Sequence, residues 1–170
     1  MKTSDYTRVD LTVDPRENML SGYTAPHLGY QFFQVPYMSE IAPNLWQGGV
    51  AEGLVLPTII KHLLSLHVVE SYQVNHRLRT SHVVTMYDDP HNPGQATRQV
   101  DRWARWVSAR RKTGPVLVHC QAGLNRSSLV VARSLMLDGM DADAAIRLIR
   151  EKRSPVALCN TAFEDYLRSL

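Results

Sequence analysis

The chain has 170 residues, 44% of them hydrophobic, which suits one domain with a sizeable core. Its two cysteines, Cys120 and Cys159, exclude a disulfide framework, and the lack of C-x-x-C or paired Cys/His spacing excludes a zinc motif. The net charge is +3 and the pI about 9.0, but with only three Phe and no aromatic residues interleaved with the basic ones in an RNA-binding pattern, a nucleic-acid role is disfavoured. No apolar run approaches the ~18 residues of a membrane span, and Met1 to Tyr6 lacks the apolar segment of a secretion signal. A reducing, cytoplasmic setting is expected.

Residues 1–36 lack clear periodicity and are punctuated by Pro15, Gly22, Pro26, Gly29 and Pro36, which predicts an irregular N-terminal extension. Residues 41–48 read as a first strand. Residues 62–66 fit a strand or a helix on periodicity. Polar residues 68–81 read as an irregular connection, and residues 82–86 as a strand. From Gln95 to Arg111, Val100, Trp103, Ala104 and Val107 recur on one helical face, and Gly114-Pro115 stops the helix. Arg98, Arg102 and Arg105 share another face of it. With Arg110, Arg111 and Lys112 they read as a solvated basic flank. Residues 116–119 form a short apolar strand, and residues 128–138 a helix with Gly139 as its C-cap. Asp141 caps a helix over 142–152, with Ala145, Ile146 and Ile149 inward. Ser154-Pro155 ends it, and Asn160 or Thr161 caps a last helix to Leu170. Strands alternating with helices, then helices alone, indicate an α/β fold: a mainly parallel central sheet flanked by helices.

Between the strand at 116–119 and the helix at 128–138 lies His119-Cys120-Gln121-Ala122-Gly123-Leu124-Asn125-Arg126-Ser127. A thiol thus sits on a tight strand-to-helix loop, with a cation at the loop's far end. Unpaired N–H groups at a helix start converge on one point, and successive N–H groups in such a curl make an anion-binding concavity. Gly123 permits the curl. Arg126 adds a planar fork that binds two phosphate oxygens at once. The same field favours the thiolate of Cys120, and Ser127 can donate a hydrogen bond to the sulfur. Neither a G-x-S-x-G nucleophile elbow nor a G-K-[ST] nucleotide loop occurs.

These residues resemble the cysteine-dependent protein tyrosine phosphatases, most closely the small dual-specificity branch. The signature H-C-x-x-G-x-x-R-[ST] is met by His119, Cys120, Gly123, Arg126 and Ser127. The resemblance extends upstream to residues 41–49 and downstream to Arg153-Ser154-Pro155, Asn160 and Phe163. It covers about residues 37–170, a catalytic domain that leaves 1–36 outside. It makes 62–66 a strand, with a helical turn near 52–59. It also implies a general acid on a loop before the cysteine. Asp88 and Asp89, 32 and 31 residues before Cys120, both fit. Asp88 is preferred because it follows the strand and Tyr87 directly. The other Asp then serves as a turn or capping residue beside Pro90.

The expected chemistry is phosphomonoester hydrolysis without metal or cofactor. Phosphate docks on the amides of Gln121, Ala122, Gly123, Leu124, Asn125 and Arg126 and on the Arg126 fork. Cys120 attacks in line to give a cysteinyl-phosphate, and the Asp protonates the leaving oxygen, then activates water. Ser127 eases sulfur departure, and His119 and Asn125 hold the loop. Gln121, Ala122, Leu124 and Asn125 are uncharged, whereas phosphoinositide-directed relatives tend to carry Lys in this loop. Phosphotyrosine in a protein or peptide, with phosphoserine or phosphothreonine also open, is therefore the leading substrate. A phosphoinositide phosphatase, an RNA 5′-phosphatase, a rhodanese-like sulfurtransferase and a phosphate-binding module without turnover are the alternatives.

Overall fold

The structure is a computed structural model, and it describes residues 13–24 and 29–170. Its centre is a five-stranded sheet in the order β3-β4-β7-β5-β6. The strands are β3 (Met38–Ala42), β4 (Leu45–Gly48), β5 (His62–Ser65), β6 (Thr80–Val83) and β7 (Val116–His119). β3 and β4 pair antiparallel; β4–β7, β7–β5 and β5–β6 are parallel. The helices are α1 (Gly94–Arg110), α2 (Arg126–Leu137), α3 (Ala142–Lys152) and α4 (Thr161–Arg168). The expected α/β architecture with a mainly parallel sheet is thus observed.

β7 is buried at every position because both neighbours are strands and both faces are covered. Alternation along the strand divides the core. Val116 and Val118 point with Leu64 into a helical layer that includes Val100, Trp103 and Val107 of α1, Leu129 and Val130 of α2, and Ile146 and Ile149 of α3. Leu117 and Leu63 point the other way, onto Tyr37, Leu54, Leu56, Ile60 and Tyr72. That second face is covered by irregular chain. The helical turn expected near 52–59 is absent: Gly53 takes a φ of +84°, Pro57 brings no N–H, and Val55 instead makes an isolated bridge to Gln73.

Three other sequence expectations change. The strand expected at 41–48 is a hairpin of β3 and β4, reversing at Pro43-Asn44, with Asn44 at φ 60°. Asn tolerates this left-handed region better than most residues. The strand expected at 82–86 lies at 80–83 because its frame is set by β5: the ladder starts at His62↔Thr80 and finishes at Ser65↔Val83. The N-terminal region is not irregular throughout. β1 (Met19–Tyr23) and β2 (Phe32–Pro36) form a separate antiparallel hairpin. Residues 1–12 and 25–28 of the predicted extension lie outside the described residues.

The helix expectations hold closely. Asp141 caps α3 by accepting from Ala144 N, and Asn160 caps α4 by accepting from Ala162 N. The basic residues Arg98, Arg102 and Arg105 are exposed, with Arg102 lying over the Trp103 ring at 5.0 Å. α2 starts at Arg126, two residues before the expected position, because the loop runs straight into its first turn.

Candidate active site

β7 delivers His119 and Cys120 to the end of the sheet, where the Cys120 N–H is held by Gly48 O at 3.2 Å. The next residues turn their carbonyls outward, and each finds a donor behind the loop. Gln121 O accepts from Val50 N at 2.9 Å, and Leu124 O accepts from Leu158 N at 2.7 Å and the Ser128 hydroxyl at 2.7 Å. Ala122 O accepts from Arg153 Nη2 at 3.2 Å. Gly123 O accepts from Arg153 Nε at 3.1 Å and Gln47 Nε2 at 3.0 Å. With four consecutive carbonyls tied outward, the peptide N–H groups are turned toward Cys120. Among the described residues, no backbone acceptor is found for the N–H groups of residues 121–126. They form a ring of donors of the kind that binds oxyanions.

Gly123 is required twice over. Its φ is +70°, and a Cβ there would collide with the backbone of Gly48 and Gly49. The Gly48-Gly49 segment thus fixes how tightly the loop can curl.

Arg126 is anchored by Nη1, which donates to Leu66 O at 3.1 Å and Met86 O at 3.3 Å. Its Nε is buried and has no acceptor. The guanidinium is therefore oriented by one end, with donors left for an anion. The Cys120 side chain is 3% exposed. Its thiol reaches the buried Ser127 hydroxyl oxygen at 3.4 Å; once sulfur is ionised, the hydroxyl becomes the donor.

The two carboxylates part company. Asp88 shares a cleft with Cys120 and Arg126. Both of its oxygens are held by amides, Oδ2 by Asn125 Nδ2 at 2.8 Å and Oδ1 by Asn160 Nδ2 at 2.7 Å. Asp89 does not line this cleft; its Oδ1 accepts from His91 N at 2.9 Å and Asn92 N at 3.1 Å, a local turn cap. Asn125 sits at the N-cap position of α2 but leaves capping aside. Its oxygen accepts instead from Asn160 N at 2.9 Å and Cys159 Sγ at 3.3 Å.

His119 is fully buried, with Nδ1 3.3 Å from Cys120 O and its ring edge-on to Tyr72 at 5.3 Å. Burial pulls its pKa down to about 4, so the imidazole is neutral at pH 7. Burial pushes the Tyr72 phenol up, so it stays protonated and donates to Gly49 O at 2.6 Å. Arg153 is 4% exposed, and burial pulls its guanidinium down to about 10. It remains charged at pH 7, a buried cation directly behind the loop.

Sequence reasoning singled out the 153–155 segment but not the two loop carbonyls, Ala122 O and Gly123 O, that Arg153 holds. It included Gln47 only within the 41–49 segment and did not foresee the loop contacts of Gln47 and Tyr72, because a lone Gln or Tyr carries no local signal. It also missed that residues 19–24, Phe32 and Phe33 line one side of the cleft, whose volume is about 960 Å³.

The family model for the dual specificity phosphatase catalytic domain matches residues 60–170. Human protein tyrosine phosphatase type IVA 3 is 37% identical over 75 residues, 41% of this chain and 43% of that protein. The match thus spans less than half the length of that relative. Among solved structures, human DUSP28 superposes with a TM-score of 0.63 at 24% identity, covering 79% of this chain and 92% of that one. DUSP15 superposes with 0.65 at 22% identity, covering 78% and 85%. These two likenesses carry the fold alone, whereas the family model spans most of the chain, including the Cys120 loop. The chain belongs to the dual specificity phosphatase catalytic-domain family of the cysteine-dependent protein tyrosine phosphatases.

Proposed function

We propose that this protein hydrolyses phosphomonoesters, foremost phosphotyrosine in proteins or peptides, through a cysteinyl-phosphate intermediate. The observation that carries the proposal is the convergence of four features on one cleft: the ring of outward-tied carbonyls, the buried Cys120, the half-tethered Arg126 and the oriented Asp88. The loop amides and Arg126 hold the phosphoryl oxygens and stabilise their charge in the transition state. Cys120 attacks phosphorus, and the P–O bond to the leaving group breaks as S–P forms. Asp88 supplies the proton to the departing oxygen. Water then attacks the phosphocysteine with Asp88 as base, and Ser127 hydrogen-bonds the departing thiolate. His119, buried and neutral, transfers no proton in this scheme; it props the loop. The relative named above is a tyrosine phosphatase, which supports an aryl phosphate as substrate. A thiolate nucleophile needs a reducing compartment.

The intact nucleophile, clamp and acid favour turnover over a module that only binds phosphate. Cys120→Ser tests this directly: it should abolish p-nitrophenyl phosphate turnover while still binding vanadate. Residual turnover above about 1% of wild type would refute a covalent mechanism.

A further inference from the structure

The N-terminal hairpin lies outside the matched family segment, residues 60–170, yet it forms one wall of the cleft. It is welded to the phosphate loop. Leu20 touches the Gly49 position so closely that a Cβ there would lie 2.7 Å from Leu20 Cδ2 and 2.8 Å from Gln121 O. Phe33 and Val35 bury their side chains with Leu124, against Ala122 and Leu20. At the hairpin's end, Pro36 O accepts from Arg153 Nη1, the same guanidinium that holds Ala122 O and Gly123 O. The wall and the catalytic loop therefore keep a fixed relation.

One cross-strand pair on this wall is not buried. Tyr23 opposes Phe32 in the ladder, their rings meeting edge-to-face at 5.6 Å. They are 67% and 59% exposed, and both line the cleft. Large exposed aromatics grouped at a cleft mark a contact surface. The charge of the cleft narrows what they contact. Among the described residues, its charged side chains are Glu70, Asp88 and Arg126. The one cation serves the phosphate, Asp88 is protonated as the general acid in the substrate complex, and Glu70 opposes any second anionic group. The volume, about 960 Å³, exceeds what a single phosphotyrosyl side chain fills.

Resting on the proposed phosphatase reading, we propose that the Tyr23–Phe32 pair is a specificity determinant: it selects phosphotyrosine flanked by an apolar residue and singly phosphorylated. The neighbouring apolar side chain packs on the two rings while the phosphate sits on the loop. Glu70 repels substrates with acidic flanks or a second phosphate.

The test is kinetic. Wild type is assayed on three phosphotyrosine peptides, flanked by Leu, by Ser and by Glu, and on a single-chain lipid phosphomonoester. The Leu-flanked peptide should have the highest kcat/KM, at least about tenfold above the Glu-flanked one, the scale of discrimination an apolar contact gives. In Tyr23→Ser/Phe32→Ser the Leu-over-Ser ratio should fall at least about fivefold, mainly through KM. Phe32→Leu, which keeps an apolar surface, should restore most of it when paired with native Tyr23. An unchanged Leu-over-Ser ratio in the double variant, or in Tyr23→Ser and Phe32→Ser singly if the double variant does not fold, overturns the proposal. So does a preference for the lipid over every peptide. Absence of turnover on all aryl phosphates would instead refute the phosphatase reading itself.

Discussion

Replacing Asp88 by Asn exchanges one carboxylate oxygen for an amide and leaves the side-chain shape intact. Asp88 is hydrogen-bonded by Asn125 Nδ2 on one oxygen and by Asn160 Nδ2 on the other. An Asn there keeps one of these bonds and sets its own NH₂ against the second donor. The structural cost is one hydrogen bond, about 1 kcal/mol, too small to unfold a domain of this size. The catalytic cost is larger, since general acid catalysis contributes about 10²–10⁴-fold, equivalent to about 3–5 kcal/mol of barrier. Asp88→Asn should therefore lose at least about a hundredfold in kcat on a phosphotyrosine peptide. On p-nitrophenyl phosphate, whose leaving group needs little protonation, the loss should be much smaller. Asp89→Asn is the internal control. The oxygen that caps His91 N and Asn92 N survives the exchange, so both substrates should turn over at close to the wild-type rate. Steady-state kinetics of both variants on both substrates, with a melting curve for each, decide the matter. If the two variants exchange behaviour, the acid is Asp89. If Asp88→Asn keeps wild-type kcat on phosphotyrosine, the assignment of this loop fails.

Two further outcomes are expected. Arg126→Lys keeps a charge, but an ammonium cannot both reach Leu66 O and Met86 O and present a fork to phosphate. It should lower kcat/KM on p-nitrophenyl phosphate at least about tenfold, and near-wild-type kinetics would show that charge alone suffices. His119 gives a pH dependence of stability. Its folded pKa of about 4 lies below the unfolded value of 6.5, so the unfolded chain binds the extra proton. The stability is fully present above pH 6.5 and is lost as pH falls toward 4, by up to about 3 kcal/mol. Burial lowers His62 and His67 in the same direction. The measurement is thus the difference in urea unfolding free energy between wild type and His119→Gln across this window. Parallel curves would refute the buried neutral imidazole.

The parts of this protein whose physics is local are legible in the chain alone. Cys120, Gly123, Arg126 and Ser127 fall within eight residues, so a strand, a curl and a helix start place them together whatever the rest of the chain does. The same holds for α1 and α3, whose inward faces follow the helical repeat, and for the caps Asp141 and Asn160, whose bonds close within a few residues. Tertiary structure decided what depends on partners far along the chain. The loop amides are freed because Arg153, Gln47, Val50 and Leu158 take the carbonyls. Asp88 rather than Asp89 faces the cleft because Asn125 and Asn160 hold it. The frame of β6 was set by β5, and the N-terminal hairpin gained its role from packing on Ala122 and Leu124. A hydrogen bond across 30 to 117 residues, such as those of Arg153, leaves no pattern in any sequence window. Its energy enters only once the fold brings its partners together.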